Sequence, residues 1–306
     1  MNHDHDAVQA GRPDNNSKLV MVCGAARSGT TMLDLMLGNS DDAFSTGEIV
    51  DYFRPYRTHH FNPVCSCGAA DCKVWQGLLN VPESQFHANI LKESEFNFVV
   101  DSSKDLRWVL DSNVWAQRNE IPCENVLIWK DPVDLAYSYW KRGNGIRWYR
   151  QVFLVYYARF LSLNLPFISV NYNQLAAEPK DILAKLCARL GMDYDEGRIN
   201  FWEKHHHYYF GSAGIGRQVS NGGSQIQNKR DFPQDFVEEY KAESHWSESN
   251  EQFNRIINAL EAHDVSGTQT FSSCHIRGGL RPLWYYRHII KSIWRKRFPE
   301  TRPVAD

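Results

Sequence analysis

Gly24-Ala25-Ala26-Arg27-Ser28-Gly29-Thr30-Thr31 is the stretch whose residue types and spacing speak most directly of chemistry. Ahead of it lies the apolar run 19–23, which reads as a buried strand, and behind it an apolar helix runs to Leu37. A strand, a glycine loop and a helix start aim backbone N–H groups and a positive helix end at one anion. The Gly-x-x-x-x-Gly spacing is that of a P-loop, yet Thr30 stands where a nucleotide triphosphatase carries its lysine. Arg27 offers a planar fork of donors in its place. The loop therefore reads as a cradle for a phosphate-like oxyanion.

Further groups sit where strands end. The run 125–129 leads into Lys130-Asp131-Pro132, and proline suits a first helical turn. Ser138 and Arg142 follow along the same helix, so Lys130, Ser138 and Arg142 can gather as a second anion site. Glu48 closes the sequence Ser45-Thr46-Gly47-Glu48 after a short strand at 43–46, and Lys104 closes Asp101-Ser102-Ser103-Lys104 after the strand at 96–100. One is a carboxylate and the other a cation, each just past a strand end; Asp101 reads as orienting its turn.

Cys65-Ser66-Cys67-Gly68 followed by Cys72 and Trp75 leaves three readings open. The thiols can bind a metal with His59, His60 or another ligand, form a disulfide, or stay reduced and structural. The C-x-C spacing is not the usual C-x-x-C and no fourth ligand is fixed, so no metal site is assigned. The run His205-His206-His207 reads as a polar cluster rather than a metal site.

The elements that must position these groups follow from periodicity. Strands at 19–23, 43–46, 96–100, 125–129 and 167–170 alternate with helices at 83–91, 104–113, after Pro132, 146–163 and 179–190. Apolar strands alternating with helices imply an α/β fold, a parallel sheet covered on both faces, with ligands bound beyond the strand ends. Residues 55–80 form an irregular cysteine-containing insertion on the surface of the sheet, and 204–231 a glycine-rich binding loop. Two more helices are expected at 236–243 and 248–262. Residues 1–17 read as a disordered tail, 18–275 as one domain, and 276–306 as a basic aromatic C-terminal helix that packs on the domain or contacts an anionic membrane surface.

Composition narrows the class. Hydrophobic residues make up 42%, ample for a core, and the net charge of −2 argues against a general nucleic-acid binder. No run of 18 apolar residues exists to span a membrane. A polar, acid-containing start unlike a signal peptide, with seven cysteines, points to a reducing, cytoplasmic setting.

The ordered set of motifs over residues 19–190 resembles the PAPS-dependent sulfotransferases. GAARSGTT is similar to their 5′-phosphosulfate loop, CENVLIWKDPVDLAYSYWKRG to their 3′-phosphate element, and NYNQL at 171–175 to the tyrosine segment that trails both. STGE resembles the site of the catalytic glutamate in the tyrosylprotein-sulfotransferase branch, and GSAGIGRQ at 211–218 the loop that closes over the nucleotide. The resemblance implies a P-loop-like sulfotransferase fold with PAPS as sulfuryl donor and no required metal. It implies Glu48, Lys104 and Arg27 as catalytic residues. Arg27, Ser28, Gly29, Thr30, Thr31, Lys130, Ser138, Arg142, Tyr172 and Arg217, with Gly214 or Gly216, would touch the donor. A lysine at 130 departs from the usual arginine: it keeps the charge and loses the bidentate fork. Relatives that use a histidine base leave His59, His60 or one of His205 to His207 in reserve.

The expected activity is therefore transfer of the sulfuryl group from PAPS to a hydroxyl, less readily an amine, of a small-molecule acceptor. The competing readings are an ATP-using P-loop kinase or nucleotidase, which Thr30 disfavours, and a non-catalytic nucleotide-binding protein, which has no need of Glu48 or Lys104.

Overall fold

The computed structural model describes residues 17–69, 71–212, 215–216, 219, 226 and 231–267. Residues 1–16 of the expected tail at 1–17, Gly214, Arg217 and the expected C-terminal helix at 276–306 lie outside them.

Short runs of β-branched and large apolar residues give β1 (Lys18–Cys23), β2 (Ala43–Ser45), β3 (Phe98–Asp101), β4 (Cys123–Trp129) and β5 (Ile168–Asn171). All four pairings are parallel, in the order β2-β3-β1-β4-β5, with Leu19 opposite both Val99 and Cys123. Side chains alternate across the sheet, and both faces are covered. Leu19, Met21, Val99 and Leu127 enter one core, while Val20, Val22, Val100 and Val126 enter the other. Each such side chain is fully buried, worth about 1.5–3 kcal/mol.

Helices return the chain between strands. On the face of Val20 and Val22 lie α1 (Thr30–Leu37) and, further on, α8 (Pro179–Leu190). The opposite face carries α2 (Val50–Phe53), α3 (Phe86–Glu93), α4 (Leu106–Arg118), α5 (Pro132–Trp140) and α6 (Trp148–Leu161). That face is completed by α9 (Gln234–Ser249) and α10 (Glu251–Ala262). Local chemistry sets the boundaries. Asp105 caps α4 by accepting from the amides of Arg107 (2.9 Å) and Trp108 (3.1 Å). Prolines open α5 and α8, and Gly191 in the left-handed conformation (φ 72°) ends α8.

Two features that the sequence did not supply matter for the site. NYNQL, expected only as a tyrosine segment, is helical from Tyr172. Asn171 caps a short helix, α7 (Tyr172–Ala177), accepting from Asn173 N–H at 2.7 Å, so the chain turns sharply after β5. Residues 55–80 are irregular and largely exposed, with single helical turns at Thr58–Phe61 and Lys73–Trp75, but a few of their side chains reach into the core. Cys65, Cys72, Trp75 and Leu78 are buried. Trp75 packs against Phe44 (ring centroids 5.1 Å apart) and Tyr209 (4.8 Å). Their burial is set by partners distant in sequence, which is why sequence gives no sign of it.

Parallel strands joined by helices place every strand's C-terminal end on one edge of the sheet. The groups singled out above follow those ends.

Candidate active site

The loop after β1 is held from beneath by three tyrosines. Tyr156 accepts from Gly24 N–H (3.0 Å), and Tyr157 accepts from Ala25 N–H (3.3 Å) while donating to the Ile128 carbonyl (2.9 Å). Tyr139 donates to the Ala26 carbonyl (3.0 Å). The aromatic helix α6 is thus the floor of the loop. Ser28 turns inward, its hydroxyl donating to the Ala25 carbonyl, and it does not line the cavity above. Arg27 and Gly29 both adopt positive φ (77° and 105°). Such a conformation is unfavourable for arginine, by roughly 1–2 kcal/mol.

Backbone geometry leaves the upper side of the loop open. Among the described residues, the amides of Arg27, Gly29, Thr30 and Thr31 have no hydrogen-bond partner. Arg27 Nε is buried and likewise unpartnered. Burial, and then the charge of Arg142, pull the Arg27 guanidinium below the ordinary arginine value. These groups together call for an anion.

The second cationic group lies across the same cavity. Lys130 and Ser138 are buried. Arg142 donates through Nη1 to the Ser138 carbonyl and reaches its hydroxyl at 3.3 Å. Tyr172, placed by the turn into α7, stands between the two ends. A Cβ on Gly29 would meet its ring at 2.4 Å, and Lys130 Nζ lies 3.8 Å from the ring centroid. Gly29 is therefore required twice, by its φ and by Tyr172.

Glu48 and Lys104 are brought into direct contact as an ion pair. Glu48 is fixed through its backbone: its N–H donates to the Tyr209 carbonyl (2.9 Å), and Tyr209 N–H donates to the Thr46 carbonyl (3.2 Å). Gly47 permits the crossing, since a Cβ there would lie 2.3 Å from the Tyr209 oxygen. Behind Lys104, Asp101 accepts from Ser103 N–H (2.7 Å), Trp108 Nε1 (2.8 Å) and His87 Nε2 (2.8 Å), fixing the turn.

The cavity that joins these groups encloses about 870 Å³. Arg27, Arg57, Lys104, Lys130, Lys141 and Arg142 line it against two carboxylates, Glu48 and Asp51. Among the described residues it is thus more positive than negative, although the whole chain carries −2. Gly211, Ser212 and Gly216 form part of its roof, with Ser212 N–H donating to Thr31 Oγ1 at 3.2 Å.

Sequence reasoning missed Asp51. It lies one helical turn after Glu48, a spacing that could have flagged a second carboxylate. Burial, and then the charge of Glu48, push its carboxyl up to about 7, and His60 Nε2 lies 3.3 Å away. His59 and His60 line the cavity, whereas His205, His206 and His207 do not. His206 instead meets the Phe201 carbonyl at 2.6 Å, and burial lowers it to about 4. His207 turns toward Cys65 and Cys72. No helix among the described residues is long and apolar enough to cross a membrane.

No protein-family model and no curated sequence matches this chain. Solved structures similar to it include the sulfotransferase domain from the Synechococcus PCC 7002 olefin synthase. That match has 15% identity and a TM-score of 0.47, covering 77% of this chain and 98% of that one. A sulfotransferase from Alicyclobacillus acidocaldarius is similar at 16% identity and a TM-score of 0.38, covering 79% and 94%. Mouse sulfotransferase SULT7A1 complexed with PAP is similar at 13% and 0.38, covering 81% and 89%.

Proposed function

We propose that this chain transfers the sulfuryl group of PAPS to a hydroxyl of a small-molecule acceptor. The observation that carries the reading is one cavity with an anion-seeking group at each end and Tyr172 between them. The loop amides and the unpartnered Arg27 stand at one end, Lys130, Ser138 and Arg142 at the other. A donor with a phosphosulfate at one end and a 3′-phosphate at the other has this charge pattern. Thr30 in place of a P-loop lysine makes a triphosphate the poorer fit.

In this reading the acceptor oxygen forms a bond to sulfur while Glu48 takes its proton. The bond between sulfur and the bridging oxygen breaks, and its electron pair stays on the 5′-phosphate. Arg27, the loop amides and Lys104 balance the charge that develops there, so positioning and fixed cations carry the step. The products are a sulfate ester and adenosine 3′,5′-bisphosphate. Lys104, in contact with Glu48, orients the carboxylate. In this reading fixed cations take the place of a metal.

Calorimetry with PAPS, adenosine 3′,5′-bisphosphate and ATP tests the donor. Tight binding of the first two without magnesium is expected, and a preference for ATP with magnesium refutes the reading. A labelled-PAPS screen of phenols, steroids, sugars, lipids and amino alcohols then finds the acceptor.

A further inference from the structure

Cys65, Cys67, Cys72 and His207 converge on one point. Their ligand atoms all lie within 4.8 Å of one another. His207 Nδ1 is 3.2 Å from Cys72 Sγ and 3.9 Å from Cys65 Sγ. In a tetrahedral zinc site with ordinary bond lengths, sulfur and nitrogen ligands stand about 3.6 Å apart and sulfurs about 3.8 Å. The observed separations straddle the first figure. We propose that Cys65, Cys67, Cys72 and His207 bind one structural zinc ion.

The cluster is built from two segments of chain held in register. Ser66, between two of the cysteines, donates its N–H to the Tyr208 carbonyl (3.0 Å) and its hydroxyl to the His206 carbonyl (2.6 Å). That hydroxyl also accepts from Tyr208 N–H at 3.0 Å. These bonds flank His207 on both sides and fix which residue of 205–208 meets the sulfurs. Gly68, at φ 77° and with its N–H on the Cys65 carbonyl (2.8 Å), bends the chain so that Cys67 returns toward Cys65. A disulfide between any two of the thiols would leave the third sulfur and the imidazole converging without purpose. Zinc uses all four.

Three thiolates and an imidazole suit zinc among the common divalent ions. Four protein ligands leave no open position, so the ion is structural and lies outside the transfer chemistry. Its mechanical effect is specific. It ties the 65–72 turn, whose neighbours Val64 and Ser66 line the cavity wall, to the strand-like segment that continues into Tyr209. Tyr209 in turn pairs with 46–48 and fixes Glu48. The fourth ligand lies 135 residues beyond Cys72, which is why spacing alone could not supply it.

Native mass spectrometry and elemental analysis of the full chain, equilibrated with zinc and gel-filtered, should find one zinc per chain. Cys72→Ser and His207→Ala should lose it. His207→Cys, which exchanges imidazole for a fourth thiolate, should keep it, as should Cys123→Ser away from the cluster. If Cys72→Ser does not fold, cobalt titration of the unaltered chain supplies the test. Tetrahedral visible bands with thiolate charge transfer support the site, and an octahedral spectrum overturns it. A metal-free chain overturns it too, whether it is two hydrogens lighter from a disulfide or has every thiol open to alkylation. So does zinc that persists undiminished in all the ligand variants.

Discussion

Glu48 and Lys104 are in direct contact, and this contact sets what their variants should do. In the proposed reaction the carboxylate takes a proton and the ammonium meets the sulfuryl group. Glu48→Gln keeps the shape and removes the base, so kcat should fall by about 10²–10⁴ while calorimetric donor affinity does not weaken. Lys104→Ala should lower kcat as well. The double variant should fall little below the worse single one, because residues acting as a unit are not additive. Equal kcat in Glu48→Gln and the parent would remove Glu48 as base. Asp51 gives the same site a pH dependence. Its carboxyl, raised to about 7, is neutral below that pH and negative above it. Affinity for adenosine 3′,5′-bisphosphate should therefore weaken as pH rises from 6 to 8, as a second carboxylate forms in the cavity. Asp51→Asn should bind more tightly than the parent at pH 8 and about equally at pH 6. A difference that does not change with pH would place Asp51 outside the site.

At the scale of elements, α1 is tied to the sheet by a buried carboxyl. Asp34 Oδ2 accepts from the hydroxyls of Ser45 (2.8 Å), at the end of β2, and Ser102 (3.0 Å), just past β3. Its other oxygen has no partner. Burial raises this carboxyl to about 8 against an ordinary value of 3.8. The folded chain thus holds a proton that the unfolded chain has released between about pH 4 and 8. Stability must fall as pH rises across that window, by an amount on the order of 5 kcal/mol for an isolated group. Asn cannot ionise and keeps an oxygen for both hydroxyls. Denaturant unfolding should show Asp34→Asn gaining on the parent steadily from pH 4.5 to 8, and parallel curves would contradict the protonated assignment. The same helix shows what sequence can reveal. Gly24, Arg27 and the hydroxyls that open α1 are local, and their spacing alone announced an anion cradle. The tyrosines of α6 that support the loop read only as aromatic helix, because their hydroxyls find partners more than a hundred residues away. Tyr172 was placed by motif, yet its helix and its position between Gly29 and Lys130 became visible only with the turn at Asn171 in three dimensions.

For the whole molecule, the parallel order β2-β3-β1-β4-β5 shapes the candidate site more than any single contact, because it brings the ends of β1, β2, β3 and β4 under one cavity. Alternating apolar strands made that arrangement legible. Closure of the cavity was legible only in part: 204–231 read as a binding loop, but the crossing of 207–212 over Gly47 and Thr31 and the burial of Cys65, Cys72, Trp75 and Leu78 rest on contacts distant in sequence. The outcome is a cationic recess in a chain of slightly negative net charge, and that contrast has a measurable consequence. A highly anionic donor is drawn by the recess, while an uncharged acceptor is not. Added salt screens the field, with a Debye length of about 10 Å at 0.1 M falling to about 3 Å at 1 M. Donor dissociation constants should therefore rise steadily from low to high sodium chloride, while KM for an uncharged hydroxyl acceptor stays nearly flat. Lys130→Ala should bind the donor more weakly at every salt concentration and also show a shallower salt slope, because one attractive charge has been removed. Calorimetry across a salt series separates this from a structural lesion, which would lower affinity without changing the slope. A donor affinity indifferent to salt would mean that the cations of the cavity are neutralised from within, and the anion reading of the site would fall with it.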